Sequence, residues 1–272
     1  MDNFTGGKHL FYTVITGDYD SLQRPVWNPP NVDYLAILDS AYTRKIAKPW
    51  KLKFVEAGGD PKIANRALKM DLFPEPHGYA SITYLDGNVR VVRSMAKYIS
   101  EFLSSGKAVS VFEHFDRATP FQEVRECVKE QKLTKFQADF ELNRISDLVS
   151  DPGSLRLFDG GVLMVNPTSD FGDRIFSRWK YLFDENPVRD QIPLSIVQNE
   201  LKEQILVFPN WRRSLRPELL RVPHNNESSF FVVMLFSLSS CFPQALSAVQ
   251  QLFLRFRRWH SATNIRSKHN PK

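Results

Sequence analysis

The chain has 272 residues, 42% hydrophobic and 24% charged, which is enough for one large domain or one domain plus an appendage; no repeat period or low-complexity run is apparent. Its two cysteines, Cys127 and Cys241, sit far apart in segments of different character, which excludes a disulfide framework and a cysteine zinc site. The formal charge of +6 is uneven: ten of the 36 Lys+Arg but two of the 30 Asp+Glu lie from residue 205 onward, leaving 26 basic against 28 acidic groups before it, so net charge gives no argument for nucleic-acid binding.

The start, Met1 to Lys8, lacks the basic, apolar, small-residue order of a secretory signal, and a reducing, cytoplasmic setting is the expectation. The first predicted strand, His9 to Ile15, runs into Thr16-Gly17-Asp18-Tyr19-Asp20. Backbone amides after such a strand can approach a nucleotide, and Tyr19 can stack on a base; a capped strand-to-helix turn fits equally well. The glycines and lysine of a P-loop and the G-x-G-x-x-G fingerprint are absent. The second strand, Val32 to Leu38, leads to Asp39, whose carboxylate would accept a ribose hydroxyl or base N–H if the strand is parallel to the first, or cap a helix. A third strand is expected over Leu52 to Val55. Arg66 and Lys69 follow at i and i+3, one helical face able to neutralise a diphosphate or simply to be solvated.

The fourth strand, Ala80 to Leu85, breaks into Asp86-Gly87-Asn88. Gly87 permits a tight turn, so Asp86 and Asn88 can offer two hard oxygen donors for Mg²⁺ or Mn²⁺; a surface turn has the same sequence. Met95, Tyr98, Ile99, Phe102 and Leu103 recur at helical spacing. After the strand Ala108 to Phe112 come His114 and Arg117, able to contact donor phosphate or acceptor, or to be ordinary surface groups. Thr119-Pro120-Phe121-Gln122 carries capping-box chemistry ahead of Val124 and Val128, and Phe136, Phe140 and Leu148 extend helical character to an Asp151-Pro152-Gly153 stop.

Asp159 and Gly160 precede a strand expected over Gly161 to Val165, and the two glycines permit close substrate approach; Asp159 is therefore one candidate base. Phe171, Ile175, Trp179, Leu182 and Phe183 mark an amphipathic helix. Arg189-Asp190-Gln191 opens another, with Asp190 at the capping position: it can deprotonate an acceptor hydroxyl while Arg189 or Gln191 holds the sugar, or it can merely cap. A last strand, Ile205 to Phe208, precedes Trp211, a sugar platform or a core aromatic. Alternating strands and helices predict an α/β fold, a mixed sheet flanked by helices. Two segments are expected, a catalytic domain over 1–224 and an apolar then basic helical tail over 225–272. Residues 230–254 contain no charged side chain, yet Pro243 and several Ser and Gln interrupt them, so a packed hairpin, an interfacial anchor and a span all stay open.

The order Gly17-Asp18-Tyr19-Asp20, Leu38-Asp39, Arg66 with Lys69, Tyr84-Leu85-Asp86-Gly87-Asn88, His114 with Arg117, Gly160-Gly161-Val162 and Arg189-Asp190-Gln191 resembles a family of predicted glycosyltransferases. That family includes bacterial polysaccharide-associated proteins and catalytic domains of plant Golgi proteins linked to pectic mucilage. The resemblance covers about residues 8 to 211 and leaves the tail unmatched. It implies a GT-A-like, Rossmann-type fold with a nucleoside-diphosphate sugar as donor, a glycan or lipid-linked acceptor, and Mn²⁺ or Mg²⁺. Residue by residue, it implies metal binding by Asp86 and Asn88, with His224 where GT-A enzymes bring a late histidine to the metal. Thr16, Gly17, Tyr19, Asp39, Arg66 and Lys69 fall on the donor side. Gly160, Gly161, His114, Arg117, Arg189, Gln191 and Trp211 fall on the acceptor side, and Asp190 or Asp159 is the catalytic carboxylate. Asn88 stands where a stronger carboxylate ligand would be usual, and Ile37-Leu38-Asp39 keeps only the acid of an aromatic-Thr-Asp pattern. The expected setting is cytoplasmic, with peripheral contact at the inner membrane face through the tail as an open option. The rival readings are a non-catalytic nucleotide-sugar or glycan-binding module and an adaptor acting through its Arg-rich tail.

Overall fold

A computed structural model describes residues 7–17, 19–71, 78–210, 218–222 and 224. The chain divides into two units, Met1–Arg221 and Val222–Lys272; of the second, Val222 and His224 are described. Asp18, Trp211, Cys241 and the tail over 225–272 lie outside the described residues.

Within the first unit, seven strands make one sheet: β1 (Lys8–Ile15), β2 (Val32–Asp39), β3 (Lys51–Val55), β4 (Tyr79–Leu85), β6 (Val109–Glu113), β7 (Phe158–Val165) and β8 (Ile205–Phe208). Their order is β3-β2-β1-β4-β7-β6-β8. β3, β2, β1 and β4 run parallel, β7 is antiparallel to both β4 and β6, and β8 is parallel to β6. That pattern decides what meets at the site. The carboxyl ends of β1, β2 and β4 and the amino end of β7 fall on one sheet edge, together with the carboxyl ends of β6 and β8. The mixed, Rossmann-type α/β sheet flanked by helices that the resemblance implies is therefore present. Two further strands, β5 (Val89–Val91) and β9 (Leu219–Arg221), form a separate antiparallel ribbon.

Side-chain alternation divides the core into two layers. Leu10, Tyr12 and Val14 of β1 pack with Ile82 and Tyr84 of β4 against helices α1 (Pro61–Asp71), α3 (Pro120–Lys129), α4 (Lys135–Leu148), α5 (Phe171–Glu185) and α6 (Gln191–Glu200). Phe11, Ile15 and Leu85 face the other way, against α2 (Ala96–Ser104), Trp50, Tyr42 and the β5–β9 ribbon. Asp60 starts α1 by accepting from the amides of Lys62 at 2.7 Å and Ile63 at 3.3 Å. Asn65 then ties the helix to β1, donating to the Val14 carbonyl at 2.7 Å.

The region between residues 119 and 148 differs from its predicted form. Thr119 caps α3 as expected, but Gln122 reaches back to the amide of Ala118; the reciprocal capping box belongs to Thr134 and Gln137, which start a separate α4. Phe136, Leu148 and Val128, which follow helical spacing, are exposed. The inward face of α4 instead buries an ion pair, Glu141 with Arg144, flanked by Ala138 and Ile145. Asn186 donates to Glu141 at 2.7 Å, so the burial of this polar face is compensated.

His9, at the other end of β1, is a buried histidine whose Nδ1 shares a 2.7 Å hydrogen bond with the Ser81 hydroxyl. Burial pushes its pKa down to about 4. The unfolded chain takes up this proton below the ordinary histidine value near 6.5, whereas the folded chain resists until about 4. The stability linked to His9 is thus complete above pH 6.5 and is lost on acidification toward pH 4. His9→Asn is expected to remove that part of the acid slope, an effect of about 2 kcal/mol measured as urea midpoints from pH 7 to 4.5. An unchanged slope in the variant would show that His9 plays no part.

Candidate functional site

At the shared sheet edge, β4 delivers Asp86 and β7 delivers Asp159. The Asp86 amide donates to the Gly161 carbonyl at 2.8 Å, and the Gly161 amide donates to Asp159 Oδ1 at 2.9 Å. A Cβ on Gly161 would lie 2.8 Å from Asp86 Oδ2 and 3.0 Å from Asp159 Oδ1, so both carboxylates crowd the one position where a side chain would start. The Tyr84 hydroxyl donates to Asp86 Oδ1 at 2.9 Å. Burial raises the pKa of Asp86; Lys69 works against that, while Asp159 and Asp190 add to it. The negative form of Asp86 is thus disfavoured first by burial and then by Asp159 and Asp190, an environment that a bound cation would relieve.

Gly87 is similarly confined, because a Cβ there would meet Ile15 at 2.8 Å and the Asp20 side chain at 3.0 Å. Asp20, read in the sequence only as one acid flanking the first turn, is thereby placed against the Asp86-Gly87-Asn88 turn. Asn88 is buried, 1% exposed, and β5 begins immediately after it.

Lys69 and Arg66 project from α1 toward Asp190. Lys69 pairs with Asp190 Oδ2 and donates to the Gly160 carbonyl at 3.3 Å; Arg66 Nε lies 3.6 Å from Asp190 Oδ1. The Lys69 ammonium also sits 5.3 Å from the Tyr84 ring centroid and 5.0 Å from that of Trp179. A solvated basic face, one of the two readings of the Arg66–Lys69 spacing, does not hold for Lys69, whose side chain is 3% exposed against 21% for Arg66. Asp190 occupies the cap position of α6, yet its side chain caps nothing. Its backbone carbonyl instead accepts from the Trp179 indole at 2.7 Å. Burial disfavours the Asp190 charge, but Lys69 and Arg66 outweigh burial and hold the carboxyl well below the usual carboxylate range.

On the first-strand side, Thr16 donates to the Pro61 carbonyl at 2.5 Å and Gly17 adopts φ +57°, locking β1 to the start of α1. Asp39 is not followed by a helix to cap. Its Oδ2 accepts from the Gly17 amide at 3.3 Å and its Oδ1 from the Ala41 amide at 3.1 Å, so it orders the ends of β1 and β2 together. The Lys62 ammonium covers the Tyr19 ring, 5.3 Å from its centroid.

Beyond Asp159 lies a second polar centre. Glu123, fully buried on α3, holds Arg117 at 2.6 Å and Arg189 at 2.5 Å, and Arg189 reaches Gln191 Oε1 at 3.0 Å. Burial works against the Glu123 charge, yet the two guanidinium groups hold its carboxyl below the usual range. The Cys127 thiol donates to Glu123 Oε1 at 3.3 Å and is pushed up to about 11, first by burial. His114 Nε2 lies 3.0 Å from Arg117 Nη2, and its Nδ1 accepts from the amides of Asp116 and Arg117, each at 3.2 Å. Burial lowers the His114 pKa, Asp159 opposes that shift, and Arg117 adds to it.

The structure thus gathers Thr16, Gly17 and Asp39, then Asp86, Asp159, Gly160, Gly161, Arg66, Lys69 and Asp190, then His114, Arg117, Arg189 and Gln191, along one edge. His224 belongs to the second unit. Sequence reasoning missed Glu123, which assembles the arginines, and Trp179, assigned there to a core stripe, which supports Lys69 and Asp190. It also left Tyr84 without a role. A glutamate three residues after a Pro-initiated helix start reads as dipole chemistry, and only the tertiary contacts reveal that Glu123 gathers two arginines.

Among the described residues no group of three or more His, Cys, Asp or Glu is arranged to hold a metal by itself, and no helix is long and apolar enough to cross a membrane. No protein-family model matches the chain, and no curated protein does. Among solved structures, it is similar to mouse xyloside xylosyltransferase 1 in its apo form, at 12% identity over 74% of this chain and 84% of that one, with a TM-score of 0.43.

Proposed function

We propose that the chain is a glycosyltransferase that moves a sugar from a nucleoside-diphosphate sugar to a glycan or lipid-linked acceptor at this edge. The observation that carries the reading is the meeting of Gly17–Asp39, Asp86, Asp159 and the Arg66–Lys69–Asp190 group on the carboxyl side of three adjacent parallel strands, the side on which open α/β sheets take ligands. The hard oxygen donors of Asp86, with its raised proton affinity, fit Mn²⁺ or Mg²⁺. Asp86 would hold that ion, with Asp159 beside it, and the bound ion would supply charge neutralisation for a diphosphate. Substrate oxygens would complete a set that protein carboxylates leave short.

This chain's own residues do the rest of the work in the proposed reaction. Asp39 and Gly17 fix the donor edge. Arg66, the more exposed of the two cations, offsets charge developing on the departing diphosphate. Of the two catalytic candidates, Asp159 takes the acceptor proton. Asp190 is bound by Lys69 and Arg66 and, held well below the carboxylate range, is a weak base that fixes Lys69 against the Gly160 carbonyl. The Glu123 centre holds Arg117, Arg189 and His114 as the acceptor-side wall.

The test is a thermal-shift panel of nucleoside diphosphates and their sugars on the full chain, with and without Mn²⁺. One nucleotide class with Mn²⁺ should raise the midpoint by about 5 °C or more at saturating ligand. Asp86→Asn should abolish the metal-dependent part. Absence of stabilisation by every nucleotide would sink the reading. Stabilisation without transfer to any acceptor would leave a binding module in its place.

A further inference from the structure

Beside the site, the loops that leave the carboxyl ends of β1 and β2 enclose a cleft of about 750 Å³, lined by Leu22, Arg24, Arg44, Lys45, Ile46 and Lys48. Its walls are built rather than incidental. The Leu22 amide donates to the Tyr42 hydroxyl at 2.9 Å, the Trp50 indole donates to the Gln23 carbonyl at 2.7 Å, and Leu22, Tyr42 and Trp50 are all buried in the core layer beneath.

The charge of this cleft is one-sided. From Ser40 through Lys53 the sequence has five Lys or Arg and no Asp or Glu. Arg24, Lys45 and Lys48 make no ion pair among the described residues. The acids flanking the loop are engaged in its first turn: Glu56 accepts from the Ser40 hydroxyl at 3.0 Å and Asp39 from the Ala41 amide at 3.1 Å. A further cation is drawn close, because Arg90 Nε donates to the Arg24 carbonyl at 2.8 Å. Burial first, then the Arg24 charge, lowers the Arg90 pKa, a repulsion that an anion would relieve. The same cleft has an apolar side: Leu22 is buried and Ile46 is 48% exposed.

Cations around an apolar floor match one chemistry: an anionic head joined to a hydrocarbon chain. We propose that this cleft binds the phosphate or diphosphate head of an amphiphilic acceptor, with Arg24, Lys45 and Lys48 on the head and Ile46 and Leu22 against the first carbons of the chain. This names the acceptor class of the transfer proposed above and rests on that reading. Its walls are segments of the chain that leave the carboxyl ends of β1 and β2, just after Gly17 and Asp39.

The test is calorimetric binding to the full chain, in EDTA and without nucleotide sugar, using geranyl diphosphate, inorganic pyrophosphate and geraniol as probes. Geranyl diphosphate should bind about tenfold more tightly than pyrophosphate, geraniol should not bind measurably, and affinity should fall with salt. Lys45→Ala/Lys48→Ala should weaken geranyl diphosphate by about tenfold or more, while Arg125→Ala/Lys135→Ala, exposed cations on α3 and α4, and Asp86→Asn should not. Equal affinities for geranyl diphosphate and pyrophosphate would overturn the amphiphile, and equal losses in the two double variants would overturn the cleft. Because the readout needs neither metal nor donor, failure of the transferase reading registers separately, in the nucleotide panel.

Discussion

Lys69→Met is expected to destabilise the folded chain by about 3–5 kcal/mol at pH 7, enough to lower the melting midpoint by about 10 °C. Lys69 and Asp190 are both almost wholly enclosed, and the ammonium that methionine removes is the main partner of a carboxylate with no water to replace it. Arg66, at 3.6 Å, remains and softens the loss. Because the folded-state pKa of Asp190 is depressed, this pair contributes stability above the unfolded carboxylate value and loses it as pH falls through that value and below. The variant should therefore show a shallower decline between about pH 4 and pH 2 than the parent chain. Lys69→Met combined with Asp190→Leu removes the orphaned charge and should recover most of the stability, since well-packed apolar pairs often match buried ion pairs. Urea unfolding of both single variants and the double variant measures the coupling. Two single variants each costing under about 1 kcal/mol would show that the pair contributes little.

Gly161→Ala should act on the site far more than on the fold. Backbone strain is not the cause, since Gly161 is not among the glycines with positive φ. The cause is space. The new methyl would stand 2.8 Å from Asp86 Oδ2, closer than such atoms approach, and a tight 3.0 Å from Asp159 Oδ1, and β7 cannot retreat because it is hydrogen-bonded between β4 and β6. One or both carboxylates must swing away. Displacements near 1 Å at reacting groups cost about a hundredfold in rate, and that is the expected fall in kcat/KM for transfer, with Mn²⁺-dependent nucleotide stabilisation lost in parallel. Stability should change by only about 1–2 kcal/mol. A Gly161→Ala chain that keeps full Mn²⁺-dependent stabilisation would show that Asp86 and Asp159 do not act as a unit.

All seven strands of the main sheet were legible in the sequence, to within a few residues, because each combines a short β-favouring run with a turn signal; the five inner strands are largely buried, whereas the edge strands β3 and β8 are only partly covered. The β5–β9 ribbon was not. Three-residue strands carry no periodicity, and Val89 pairs with Arg221, far along the chain. The helical character of α4 was legible but its inward face was not: Phe136 and Leu148 follow helical spacing yet face solvent, while the buried face holds Glu141 and Arg144, residue types that a hydrophobic pattern assigns to the outside. Lys69 and Arg66 were recognised as sharing one helical face. Their burial against Asp190 depends on α1, β7 and α6 meeting, and no local pattern encodes that.

By itself, the sequence determined the alternation of strands and helices, the acids at the strand ends and the glycines that let them approach, since these are local consequences of propensity, period and turn chemistry. The tertiary structure alone decided which acids are neighbours. The antiparallel entry of β7 between β4 and β6 brings Asp159 to Asp86, and the packing of α1 on α5 brings Lys69 to Asp190 beneath Trp179. Whether a carboxylate is a ligand, a base or half of an ion pair depends on the charges and burial around it, and those are set by residues tens of positions away in the chain.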